Sequence, residues 1–166
     1  MKGTIILPTE YDLIEADGYY NSSSQNKKEG YIIANKTDQG YRYGYINSQG
    51  KKILEVEYNE IERINSILED EKIYIMAMKN GKMGVYQNET IVIPHDYEDI
   101  VYNKGNNLFT VQKNGKQGVI NLQGNIVLQA EYDDIQFSGK IIKATKEGNT
   151  IFSFLINGNK IIIIRC

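Results

Sequence analysis

The side chains with chemistry to offer recur as one cluster, a tyrosine flanked by carboxylates. It reads Glu10-Tyr11-Asp12, Glu57-Tyr58-Asn59-Glu60, Asp96-Tyr97-Glu98-Asp99 and Glu131-Tyr132-Asp133-Asp134. Three kinds of work suit such a group. A row of carboxylates attracts and steers a basic partner. Two carboxyls about 5–10 Å apart could cleave a glycosidic bond. Alternatively, the ring packs on a core while the acid caps a chain reversal. The candidate partner-binding residues are therefore Glu57, Tyr58, Glu60, Asp96, Tyr97, Glu98, Asp99, Glu131, Tyr132, Asp133 and Asp134.

Other chemistry is thinly supplied. A single histidine, His95, leaves little for acid–base work near neutral pH. The single cysteine, Cys166, excludes an internal disulfide and a multi-cysteine zinc site. The glycines follow asparagine in turns and do not form a phosphate-binding loop between strand and helix. Nineteen basic against twenty-one acidic residues give no electrostatic case for nucleic acid. No apolar run approaches the roughly 18 residues that span a bilayer. The apolar stretch before Pro8 is too short for a signal peptide, so a cytoplasmic location is expected.

The elements that must position these clusters are set by an internal repeat. Gly44-Tyr45-Ile46-Asn47-Ser48-Gln49-Gly50 matches Gly118-Val119-Ile120-Asn121-Leu122-Gln123-Gly124. The match continues without a gap through Tyr58 and Ile61 in one copy and Tyr132 and Ile135 in the other. A third copy runs from Gly84 to Ile100, and both termini carry partial copies. Tyr11, Tyr58, Tyr97 and Tyr132 are 47, 39 and 35 residues apart, the shrinking interval reflecting shorter loops. Pro8 and Pro94 both stand three residues before their tyrosine, which suits a strand end or an unpaired edge.

Each unit predicts three short strands. The first alternates, as in Lys72 to Met78 or Leu108 to Gln112. Asn80-Gly81 and Asn114-Gly115 are strong hairpin signals, because both turn positions need positive φ. The repeated Gly44, Gly84 and Gly118 suggest a bulge or a close backbone approach. Only Glu60 to Glu71 shows helical spacing, enough for a turn or two. The expected fold is all-β: a single domain over 1–166 of tandem three-stranded β-repeat units, at about 1–18, 29–65, 72–103, 107–137 and 139–166. An open solenoid-like array or a small propeller-like arrangement would both accommodate them.

This unit resembles the bacterial WG-repeat (KWG-repeat) family. The resemblance is carried by Lys113-Asn114-Gly115-Lys116-Gln117-Gly118-Val119-Ile120-Asn121 with Glu131-Tyr132-Asp133-Asp134-Ile135. Lys79 to Gly84 with Pro94 and Asp96 to Ile100 is a second instance, and Tyr43-Gly44 to Ile61 a third. The namesake tryptophan is absent and is replaced by Tyr43, Met83 and Gln117. The resemblance implies an interaction module with no catalytic residues to transfer. Some proteins with such repeats resemble immunity proteins that neutralise toxins. The expectation is a non-enzymatic protein-binding module without cofactor or metal, more specifically an immunity protein facing a basic toxin domain. A small hydrolase using paired carboxylates and a general scaffold or adaptor are the alternatives.

Overall fold

The computed structural model describes residues 9–18, 28–64, 72–156 and 160–165. These form sixteen strands and, among the described residues, no helix. Four antiparallel sheets follow one another along the chain. The first contains β1 (Leu13–Gly18), β2 (Lys28–Thr37), β3 (Gly40–Asn47) and β4 (Lys52–Tyr58). The second contains β5 (Glu60–Ile64), β6 (Tyr74–Lys79), β7 (Lys82–Gln87) and β8 (Thr90–Tyr97). The third contains β9 (Asp99–Asn103), β10 (Leu108–Lys113), β11 (Lys116–Asn121) and β12 (Ile126–Tyr132). The fourth contains β13 (Asp134–Ser138), β14 (Ile141–Lys146), β15 (Asn149–Ile156) and β16 (Lys160–Arg165). The all-β tandem repeat read from the sequence is therefore present. Each sheet holds the three expected strands and one more.

The extra strand is the segment just after each repeated tyrosine. One residue separates the last strand of a sheet from the first strand of the next: Asn59, Glu98 or Asp133. The chain thus leaves one sheet and enters the next without a loop. This corrects the helical reading of Glu60 to Glu71. Glu60–Ile64 is β5, paired antiparallel with β6 from Glu60↔Met78 to Ile64↔Tyr74. Its apolar residues satisfy a strand because Ile61 and Ile64 fall on opposite faces, each meeting a different neighbour. Residues 65–71 lie outside the described residues.

The hairpins follow from their turn residues. Asn80 and Gly81 have φ of 54° and 73°, and Asn114 and Gly115 have φ of 52° and 72°. Both central residues are left-handed, as a two-residue turn matched to strand twist requires. Glu147-Gly148 adopts the same form at 51° and 78° without asparagine's tolerance for it.

The repeated glycine sits opposite a bulge in all three complete copies. Tyr43↔Tyr58 and Tyr45↔Leu54 set two residues of β3 against four of β4. Met83↔Tyr97 with Val85↔Ile93, and Gln117↔Tyr132 with Val119↔Leu128, repeat the offset. At that point the partner backbone crowds the glycine. A Cβ on Gly44 would lie 2.7 Å from the Leu54 carbonyl oxygen, and one on Gly118 2.9 Å from that of Leu128. Pro94 lies in the bulge of β8, an edge strand, where its missing N–H costs no ladder bond. Pro8 falls outside the described residues.

The core lies between successive sheets. Strand alternation sends one set of side chains backward along the stack and the other forward. In β6, Ile75 and Ala77 pack with Tyr45, Leu54 and Tyr58 of the first sheet. Tyr74 and Met76 pack the opposite way, with Ile100, Phe109 and Val111 of the third. Leu108, Val119 and Leu128 of the third sheet then meet Ile135, Ile142 and Ala144 of the fourth. A sheet covered on both faces reads as nearly continuous apolar sequence, which explains Tyr74 to Ala77 being buried throughout.

Candidate functional site

The acidic–tyrosine clusters occupy the sheet junctions, and their side chains divide the labour by position. The junction residue itself grips the next hairpin. Glu98 accepts hydrogen bonds from the backbone N–H of Asn114 (2.9 Å) and of Gly115 (3.1 Å), while its own N–H donates to the Gln112 carbonyl. Asp133 accepts from the N–H of Glu147 at 2.7 Å and donates its N–H to the Thr145 carbonyl. Asn59 accepts from the N–H of Asn80 at 3.1 Å. Asp12 accepts from the N–H of Lys36 at 2.7 Å. Each thus satisfies backbone donors at the tight turn between the two middle strands of the following sheet.

These contacts set the electrostatics. The N–H groups of Gly115 and Asn114, then the Lys82 ammonium, hold the Glu98 carboxyl below the ordinary carboxylate range. The Lys116 ammonium, then the Glu147 N–H, does the same for Asp133. The acid just before each tyrosine pairs with a lysine of the same hairpins: Glu57 with Lys79 at 2.8 Å, Asp96 with Lys113 at 3.5 Å, and Glu131 with Lys146 at 2.7 Å. The row is consequently a mixed-charge seam.

The four tyrosines are not equivalent. Tyr58 and Tyr132 are buried, whereas Tyr97 and Tyr11 are half-buried. Lys113 lies over the Tyr97 ring, 5.8 Å from its centroid, and Lys79 over Tyr58 at 5.9 Å. The Tyr58 hydroxyl donates to that of Tyr86 at 2.9 Å, and Tyr86 meets His95 Nε2 at 3.3 Å. His95 Nδ1 is 3.0 Å from the Lys82 carbonyl, which can only accept, so Nδ1 carries hydrogen. In the neutral ring, Nε2 is then the acceptor for Tyr86. Burial first, and the bond to Tyr86 second, push the Tyr58 phenol well above its ordinary value. The phenols and imidazole form a cross-sheet brace, and the ring of His95 stacks on Tyr58 at 24°.

Three of the expected carboxylates are left over. Glu60, Asp99 and Asp134 open the first strand of the second, third and fourth sheets, exposed and without a lysine partner among the described residues. Asp134 accepts only from the Gln136 amide, at 2.9 Å. They hold equivalent places, each one residue after a junction. Sequence reasoning did not single out Glu15 and Glu62, which occupy another equivalent place two residues further along β1 and β5. Their signal was available in the repeat: both stand three residues after the junction residue, Asp12 or Asn59.

Among the described residues, no group of three or more His, Cys, Asp or Glu is placed to hold a metal ion. Cys166 lies outside the described residues. No helix there is long and apolar enough to cross a membrane, which leaves strand-based crossing unaddressed.

Comparison with curated proteins and with solved structures returned no match. Comparison with protein families matched the WG containing repeat three times, at residues 43–82, 87–116 and 118–149. The matched copies contain the glycine bulges at Gly44 and Gly118 and the gripped turns at Asn80, Asn114 and Glu147 described above. With three such copies covering more than half of its length, the chain belongs to the WG-containing repeat family.

Proposed function

We propose that this chain works by binding another protein, and specifically as an immunity protein that blocks a basic toxin domain. One observation carries the reading: among the described residues, Glu60, Asp99 and Asp134 hold equivalent positions of three successive sheets without a lysine partner, while the neighbouring carboxylates are neutralised by lysines. Carboxylates that serve the fold are capped or paired. Those left without a cation at a regular interval offer a spaced anionic row to a cationic surface. Family membership supports the coarser part, an interaction module. The toxin and the cytoplasmic setting are the finer part.

The test is capture followed by a growth assay. The tagged chain is used as bait, its partner is identified, and that partner is expressed with and without the chain. A partner that arrests growth alone and is silenced by co-expression supports immunity. A captured partner harmless by itself overturns immunity and leaves a scaffold. Reversing the row (Glu60→Lys, Asp99→Lys, Asp134→Lys) should weaken capture by at least about tenfold, or about 1.4 kcal/mol. Unchanged capture by the folded variant would remove the row from the interface.

A further inference from the structure

Beside the row lies a cavity of about 410 Å³, lined by residues of the first two sheets around the edge strand β5. Its apolar lining includes Met76, Met78 and Met83 with Tyr43 and Ile32. Three exposed carboxylates, Glu15, Glu60 and Glu62, share it. The strand register explains the mixture. Glu60 is the cross-strand partner of Met78, which is in turn the partner of Met83, and Glu62 is the partner of Met76. An acid at the sheet edge is thereby followed inward by thioethers. Among the described residues, none of the three carboxylates has a cationic partner, whereas Arg63 on the same strand is bound to Asp17.

We infer that this groove receives a lysine or arginine side chain from an extended segment of a partner protein. The assignment rests on the binding reading above and specifies its chemistry. A long basic side chain carries both features the groove asks for, an aliphatic stem and a terminal cation. The stem lies against flexible, polarisable methionines that adapt to its shape. The cation reaches the carboxylates, with the Tyr43 ring as a further attractive face. The volume falls in the range of small-ligand sites, about 300–1,000 Å³. An extended segment is favoured over a free polyamine because β5 is an edge strand of its sheet, with one side of its backbone unpaired by any strand of that sheet.

Three of the four methionines in the chain line the groove, so methyl-labelled methionine reports on it directly. The probe is an alternating lysine–leucine octapeptide, with a glutamate–leucine octapeptide and spermidine as comparisons. The lysine peptide should shift the Met76, Met78 and Met83 methyl signals saturably, and less so as salt is raised. Combining Glu15→Gln, Glu60→Gln and Glu62→Gln should weaken that binding about tenfold or more, equivalent to about 1.4 kcal/mol. Met83→Trp, which fills the groove, should block it. Unmoved methyls overturn the assignment, as does equal affinity for the glutamate peptide or for the triple glutamine variant. Spermidine binding as tightly as the peptide overturns the protein-segment occupant. If Met83→Trp fails to fold, the exposed glutamine substitutions decide. A partner captured by the whole chain while the groove methyls stay still would overturn the groove and leave the interaction reading standing.

Discussion

Asp17 and Arg63 belong to different sheets, with the carboxylate Oδ2 2.6 Å from the guanidinium Nε and both side chains largely withdrawn from solvent. The same Asp17 oxygen accepts a hydrogen bond from Tyr45 Oη at 2.8 Å. Asp17 reaches this position because the β1–β2 register shifts between Ala16 and Gly18. A bulge in one sheet thus supplies the counter-charge for an arginine in the next.

Removing one member of that pair should be costly. Asp17→Asn takes the carboxylate charge away from both Arg63 and the Tyr45 hydroxyl and should destabilise the protein by about 3 kcal/mol or more in urea unfolding. Replacing both residues with apolar ones should cost less than the single change. A single substitution within about 0.5 kcal/mol of the parent would show that the pair does not join the sheets.

The repeated tyrosines should respond unequally to truncation. Tyr58→Ala removes a buried ring and its hydroxyl bond to Tyr86 and should cost about 3–5 kcal/mol. Tyr97→Ala, at a half-buried site, should cost less, about 1–3 kcal/mol. Chemical denaturation of the two variants side by side gives the order. Equal losses would mean that burial does not distinguish the copies.

Acid should loosen the junctions. Glu98 and Asp133 titrate below the ordinary carboxylate range in the folded chain. A carboxyl lowered by folding stabilises the fold above its unfolded pKa and loses that contribution as pH falls through the folded value. The urea midpoint should therefore begin to drop below about pH 4.3 and keep falling beneath it. In Glu98→Gln, whose amide does not titrate, the drop should be shallower. A profile identical to the parent would show that the grip on Asn114 and Gly115 is uncoupled from folding.

The bulge glycines should refuse a methyl group. Gly44→Ala sets a Cβ 2.7 Å from the Leu54 carbonyl oxygen and should cost about 1–3 kcal/mol through overpacking. Gly105→Ala is the control, since its Cβ would meet only the Asn103 side chain at 3.6 Å. That change should stay within about 0.5 kcal/mol. Thermal unfolding separates the two, and matching transitions would count against the close approach.

Much of this architecture was legible in the sequence because the repeat marks it with residues of restricted backbone geometry. Asn80-Gly81 and Asn114-Gly115 announce their turns, and Gly44, Gly84 and Gly118 announce the bulge. The fourth strand was hidden for a physical reason. Strand β5, β9 or β13 begins two residues after its tyrosine, with no glycine or proline to punctuate the change of sheet. Three apolar residues in β5 and the segment after it then mimic a helical period, although Ile61 and Ile64 face different neighbours. At the candidate site, the acids were visible but their fates were not. The lysines that pair with Glu57, Asp96 and Glu131 lie in the next hairpin, brought close only by stacking. The methionines of the groove carry no sequence mark of their setting, because their carboxylate neighbours sit across a strand pair.

The passage from sheet to sheet through a single residue has a mechanical consequence. Tension applied to the two chain ends has no slack loop to extend at Asn59, Glu98 or Asp133, so it loads the sheets in series. Rupture would then proceed one sheet at a time. The second and third sheets would each release the chain between neighbouring junctions, 39 residues from Asn59 to Glu98 and 35 from Glu98 to Asp133. At full extension those are contour increments of roughly 120–140 Å. The array is built like a chain of links, each able to yield before its neighbour.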